Sequence, residues 1–344
     1  MILDALTSDN PHLSRPTIEA AERLDTSQRE SLPSSVGGEG CASACTRELT
    51  DRVAALVESS ISDNTRRAYQ SDLAHFEAWG GRLPADPAIV ASYLAAHSDT
   101  LSVATLVRRI ATISKAHEAK GLPNPCRSEI VRATLRGIKR TQGIAHREAK
   151  PLLREDLFRV LDVMGDGMKD TRDRALLLIG FAGGFRRSEL VGLDCADIER
   201  VRQGVIITLR RSKTDQEGAG RKIGIPFGRT RHCPVLALDR WLAVSAIETG
   251  AVLRPVDRHS HVARGRLSGE AVSIVVKECV AAAGIDPTGF SGHSLRAGFA
   301  TSAAQQGVSS LKIRGQTGHR SDAMLGRYVR DGELFIGNAA GALL

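Results

Sequence analysis

The sequence is poor in the signatures that announce a cofactor or a common hydrolytic mechanism. It has no Gly-x-x-x-x-Gly-Lys-Ser/Thr loop, no Gly-x-Gly-x-x-Gly after a strand and no His-Glu-x-x-His. A Gly-x-Ser-x-Gly elbow is missing too. ATP hydrolysis, dinucleotide binding, zinc hydrolysis and serine esterase chemistry therefore lack their usual supports. The longest greasy run, Ala175 to Phe185, contains three glycines and is too short to span a bilayer. No basic stretch followed by an apolar one opens the chain, so no signal peptide is expected. The six cysteines are scattered, which fits reduced thiols and a cytoplasmic protein. Cys41 and Cys45 lack a second Cys/His pair, so no metal is expected. Tyrosine is scarce: Tyr69, Tyr93 and Tyr328 are the only three.

What is present is an ordinary globular composition, with 42% hydrophobic and 25% charged residues in 344. That length predicts two domains. The net charge of +8 is uneven. Residues 1–45 carry three basic and seven acidic groups, a net of −4, which leaves +12 on the remainder. A basic body with an acidic leader suits a polyphosphate partner.

The leader is rich in Ser, Pro and Gly and is expected to be a disordered acidic tail. Residues 46–138 show helical periodicity without a strand signal. Asn64 or Thr65 is placed to cap a helix through Tyr69, Leu73, Phe76 and Trp79. Asp86-Pro87 opens a second helix, Ser102 a third, and a shorter one covers Ile130 to Ile138. Residues 139–150 are polar and basic and read as a linker. In residues 151–344, helices are expected from Arg154, over Thr171 to Phe181, and over Arg186 to Leu193. Val205 to Leu209 and Ile223 to Pro226 read as a two-stranded hairpin. Helices return at Val235 to Ile247, Ser268 to Ala283, Ser294 to Gln306, Ser310 to Gly315 and Ser321 to Tyr328.

Four polar clusters stand out in the second region. In Gly184-Phe185-Arg186-Arg187-Ser188-Glu189-Leu190 an arginine opens a helix, and Glu189 three residues on can hold its guanidinium. Lys213 lies where the first hairpin strand gives way to its loop. His293 and Arg296 are spaced i, i+3, so an imidazole and a guanidinium share one helix face. Gly318-His319 is followed by Ser321 as an N-cap and then by Tyr328, between Arg327 and Arg330. Tyr69 and Tyr93 fall among apolar positions and are expected in a core.

Each cluster alone is common. Their order is not: Arg186, Lys213, His293 with Arg296, His319, then Tyr328. In that order they resemble the tyrosine recombinase (phage integrase) family. Thr65-Arg66-Arg67-Ala68-Tyr69 and Ile113 to Pro125 resemble the family's helical core-binding domain. The resemblance covers roughly residues 46 to 335. Arg187 stands where the family more often has an apolar residue, which leaves it as the alternative phosphate contact.

The resemblance implies a fold that is mainly α with a small antiparallel β-sheet: a helical, SAM-like core-binding domain plus an α+β catalytic domain ending in an oligomerisation segment. It implies a site-specific recombinase that cleaves and rejoins double-stranded DNA through a 3′-phosphotyrosyl link, without metal, ATP or any other cofactor. Tyr328 would be the nucleophile. Arg186, Arg296 and His319 would hold the phosphate, His293 would assist proton transfer, and Lys213 would protonate the leaving oxygen. Partners would be duplex DNA and further copies of the chain, a dimer on a site and a tetramer in synapsis. Three alternatives stay open at this point: relaxation of DNA like a type IB topoisomerase, resolution of hairpin telomeres, and a non-catalytic helical DNA-binding regulator.

Overall fold

The computed structural model describes residues 60–143, 149–210, 220–319 and 321–333, together with Arg52, Val53, Ala55 and Leu56. The expected tail at 1–45, the loop bearing Lys213 and the segment after Glu333 lie outside the described residues. The chain divides into two compact units at His146/Arg147.

The described part of the first unit contains α1 (Asp63–Ala78), α2 (Pro87–Ala96), α3 (Val103–Ala119) and α4 (Glu129–Gln142). Their starts follow capping chemistry. Asp86 accepts from the Ala88 N–H at 2.7 Å with Pro87 as the first helical residue, and Ser102 accepts from the Thr105 N–H. The cap of α1 is Ser62 rather than Asn64 or Thr65, because its hydroxyl reaches the Thr65 N–H. α4 runs four residues past the expected end at Ile138, into the stretch read as a linker. Phe76, Val90, Tyr93, Leu94, Leu106, Ile113, Val131 and Ile138 fill the core.

Polar side chains are built into that core. Tyr93 is buried as expected, and its hydroxyl accepts from Arg109 Nη1 at 2.8 Å. Arg109 also approaches Asp72, which keeps the buried cation paired. His117 is buried with both ring nitrogens used: Nδ1 donates to the Ile113 carbonyl and Nε2 accepts from the Ala85 N–H. Tyr69 departs from expectation and is only half-buried.

The second unit contains α5 (Arg154–Val163), α6 (Met168–Ala182), α7 (Arg187–Gly192), β1 (Ile198–Val201), β2 (Gly204–Leu209), β3 (Arg221–Pro226), α8 (Pro234–Val244), α9 (Gly269–Ala282), α10 (Ser294–Gln305), α11 (Ser310–Thr317) and α12 (Asp322–Glu333). The expected hairpin is the β2–β3 pair, and β1 adds a third antiparallel strand beside β2. The core runs along α6, where Ala175 to Ile179 are all buried, and continues through the inward side chains of β2, β3 and α8. Trp241 is wholly buried and spends its indole N–H on the Val252 carbonyl.

α10 is the central helix. Its small residues let the chain before α5 lie directly on it: the Leu152 N–H donates to the Ser294 carbonyl, and the Arg154 N–H to Ser302 Oγ. A β-carbon on Gly298 would stand 1.8 Å from the Leu152 carbonyl oxygen. Overpacking against backbone costs about 1–3 kcal/mol. Gly298→Ala is therefore expected to lower the thermal midpoint by roughly 4–8 °C, on a cost of about 2 kcal/mol. Thermal unfolding followed by circular dichroism checks this, and an unchanged midpoint would contradict the packing described.

Candidate active site

Five of the six candidate catalytic side chains lie in described parts of the second unit, and these five come together. Four helices deliver them. Arg186 is the N-cap of α7, at the turn that ends α6. His293 caps α10 and Arg296 sits in its first turn. His319 follows the C-terminus of α11, and Tyr328 lies in α12.

Arg186 is oriented by Glu189, as its spacing suggests. The carboxylate accepts from the Arg186 backbone N–H at 2.9 Å and from Nη1 at 2.6 Å. The N3 carboxylate thus reaches back to the cap residue, as in a capping box. Arg186 Nη2 donates to the Gly318 carbonyl at 3.4 Å. Arg187, the alternative register, is exposed and lies beside Gly292 and Gly269 instead.

Arg296 is 1% exposed. Its Nη1 donates to the Gly184 carbonyl at 2.7 Å and to the Thr317 carbonyl. Burial, with Arg186 adding to it, draws its pKa down to about 10, which still leaves it cationic at neutral pH. A buried cation held by neutral carbonyls is an incomplete electrostatic arrangement, and it favours an anion.

Tyr328 is half-buried against Ala300, Ala304, Ile313 and Leu325, so α12 is seated on α10 and α11. Its hydroxyl lies 2.9 Å from His293 Nε2. Its ring is 5.8 Å from that of His319, centroid to centroid. His319 Nδ1 lies 2.7 Å from Thr317 Oγ1, which is also 2.7 Å from the Ile313 carbonyl. Burial first, then the Arg296 and Arg186 charges, lower the His319 pKa to about 3. Its ring is neutral at physiological pH.

Two participants escaped sequence reading. Thr317 is fully buried and partners His319. Arg221, at the start of β3, donates through Nη1 to the Gln316 carbonyl at 2.8 Å and to the Gly315 carbonyl at 3.2 Å. An arginine on a strand next to a polar loop reads as a solvated charge, and nothing in the pattern marks its partners. Among the described residues, no group of His, Cys, Asp and Glu is arranged to hold a metal ion, and no helix is long and apolar enough to cross a membrane.

The site thus gathers two arginines, two histidines and a tyrosine hydroxyl, with His293 beside that hydroxyl. Residues 150–333 match the model of the phage integrase family, and the chain belongs to that family. It is 39% identical over 293 residues to an integrase/recombinase XerD homologue of Selenomonas ruminantium, covering 82% of this chain and 86% of that protein. To the recombinase Cre of Escherichia phage P1 it is 27% identical over 269 residues, 72% of this chain and 77% of the other. Its fold is similar to that of a lambda integrase dimer bound to a core site, with a TM-score of 0.59 at 20% identity, over 83% of this chain and 95% of that one. A lambda integrase tetramer bound to a Holliday junction matches with a TM-score of 0.57 at 19% identity, over 83% and 78%. The protein is a tyrosine recombinase, an enzyme that breaks and rejoins DNA strands in site-specific recombination.

The lowered His319 pKa has a consequence for stability. Below its ordinary value of 6.5 the unfolded chain takes up a proton that the folded ring refuses until about pH 3. The stability this group contributes is complete above 6.5 and is lost progressively as pH falls toward 3. His319→Gln, which cannot titrate, is expected to lose less stability than the unchanged protein between about pH 7 and about pH 5. Urea midpoints at the two pH values measure this, and equal losses would contradict it.

Proposed function

We propose that the five clustered side chains and Lys213 carry out strand cleavage in the following roles. Tyr328 Oη attacks phosphorus. The Oη–P bond forms, the bond from phosphorus to the 5′ oxygen breaks, and the protein is left joined to the 3′ phosphate. The phenolic proton passes to His293 Nε2, which the 2.9 Å contact supports. Lys213 gives a proton to the departing 5′ oxygen; this role rests on the resemblance alone, since the loop lies outside the described residues.

Arg186 and Arg296 take the non-bridging oxygens, where charge grows in the transition state. A guanidinium carries five N–H donors, so each can keep the carbonyl that aims it and offer its remaining donors to phosphate oxygens. His319 donates from Nε2 once the Thr317 hydroxyl proton turns to Nδ1, and its neutral ring needs no protonation to do so. The phosphotyrosyl link retains the bond energy of the broken strand. The 5′ hydroxyl of a second duplex can therefore attack it and complete exchange. Exchange between two duplexes calls for four protomers, a reading in keeping with the tetrameric lambda integrase. The basic excess of the chain makes phosphate contacts the main source of affinity and binding strongly salt-dependent. We place this activity in the cytoplasm.

The observation that carries this reading is the convergence of Tyr328 Oη with His293, next to the buried Arg296. Covalent capture tests it. The protein is mixed with a randomised pool of nicked duplexes, whose short cleaved fragment diffuses away and traps the adduct. Sequencing the trapped DNA defines the site, and peptide mapping is expected to place the link on Tyr328. Tyr328→Phe is expected to trap nothing. Arg296→Lys and Arg186→Lys are each expected to slow trapping by ~10²–10³-fold. An adduct elsewhere, or one that survives Tyr328→Phe, would overturn the assignment.

A further inference from the structure

The C-terminal end of α11 is an unusual concentration of arginine contacts. The last carbonyls of a helix have no intrahelical partner, and the helix dipole makes that end negative. Here four consecutive carbonyls each accept from a guanidinium. Those of Gly315 and Gln316 accept from Arg221, that of Thr317 from Arg296 and that of Gly318 from Arg186. Two of the three arginines belong to the phosphate clamp of the preceding section. The third has no assigned task.

Arg221 is poorly placed to touch a phosphate itself. Its side chain is 22% exposed, and Nη2 is buried without a hydrogen-bond partner, 3.8 Å from Glu189 Oε2. Glu189 is the carboxylate that orients Arg186. Arg221 thus joins three things: the start of β3, the carbonyls at the end of α11, and the carboxylate behind Arg186. Gly318 makes the close approach possible. It has φ +69°, and a β-carbon there would stand 2.6 Å from Arg221 Nη1.

We propose that Arg221 is a positioning residue for strand cleavage: by tying β3 to the Gly315 and Gln316 carbonyls, it fixes the turn whose next two carbonyls aim Arg296 and Arg186. The inference rests on the clamp reading above and adds a residue to it. Without Arg221 the end of α11 loses its anchor to the sheet, and the two clamp arginines lose a fixed frame. A misplacement of about 1 Å can cost ~10²-fold in rate. DNA affinity depends on many exposed charges and barely on this enclosed one.

The test uses the full-length protein and the trapped duplex defined above. Arg221→Met keeps the length of the side chain without its donors, Arg221→Lys keeps a donor that reaches carbonyls, and Gly318→Ala pushes a methyl group into the guanidinium. Binding by gel shift and single-turnover trapping are measured on each, with circular dichroism as the check on folding. Arg221→Met and Gly318→Ala are expected to bind within about twofold of the unchanged protein and to trap at least ~10-fold more slowly, with Arg221→Lys between. A substrate with sulfur at the bridging 5′ position needs no proton on its leaving group. It is expected to rescue Lys213→Ala but not Arg221→Met.

Trapping by Arg221→Met at the unchanged rate would overturn the proposal and leave the clamp reading standing. Rescue by sulfur would also overturn it, by moving the effect to the lysine loop. So would a parallel loss of binding or of folded structure in Arg221→Met together with Gly318→Ala. If the unchanged protein forms no adduct at Tyr328, the clamp reading fails and this inference fails with it.

Discussion

The structure of this recombinase turns on one unbalanced charge. Arg296 is enclosed by protein, and among the described residues its guanidinium hydrogen-bonds to the backbone carbonyls of Gly184 and Thr317 and to no carboxylate. Burying a cation in this way is costly unless something anionic completes it. Among the described residues around it, Arg186 and Arg221 against the carboxylate of Glu189 leave an excess of positive charge. The fold bears this cost in advance, and on the proposed reading a phosphate arriving from solvent finds donors already in place. Preorganisation of that kind is usually the largest single contribution to an enzyme's rate.

The scaffold follows from that requirement. α10 must carry Arg296 into the interior, and its run of small residues allows the chain before α5 to pack on its backbone. The α6–α7 turn must present the Gly184 carbonyl and Arg186 together, and the Glu189 capping contact fixes the second of these. α11 must end where its free carbonyls can meet three guanidiniums. α12 must then bring a phenol back over the same place, which it does by seating Leu325 and one side of Tyr328 on α10 and α11. The helix dipole, the capping box and the packing of small residues thus serve a single site.

Much of this was legible in the sequence because the relevant signals are local. Asp86-Pro87 and Ser102 mark helix starts by side-chain chemistry, and the structure places caps there. The spacing of Arg186 and Glu189 foretold their contact. The ordered set of polar residues pointed to the family that the comparison establishes. What stayed hidden depends on distant partners or on choices between similar residues. Ser62 caps α1 because it alone reaches the Thr65 N–H, whereas Asn64 and Thr65 offered equally good side chains on paper. β1 was missed because Ile-Glu-Arg-Val is four residues long and half charged, so only its pairing with β2 makes it a strand. No local pattern singles out Arg109 or Arg221, because the groups they meet lie 37 and 95 positions away in the chain. Backbone carbonyls carry no sequence signal at all.

The central claim is that the buried guanidinium and its neighbours await one phosphate in front of Tyr328. It is tested most directly by a crystal structure of the protein with two DNA fragments abutting at the cleavage point and orthovanadate in place of the phosphate. Vanadate adopts the five-coordinate geometry of an in-line transfer. The account predicts vanadium bonded to Tyr328 Oη, with its equatorial oxygens within hydrogen-bonding distance of Arg186, Arg296 and His319. Vanadate bound away from Tyr328, with Arg296 still facing only the Gly184 and Thr317 carbonyls, would contradict it.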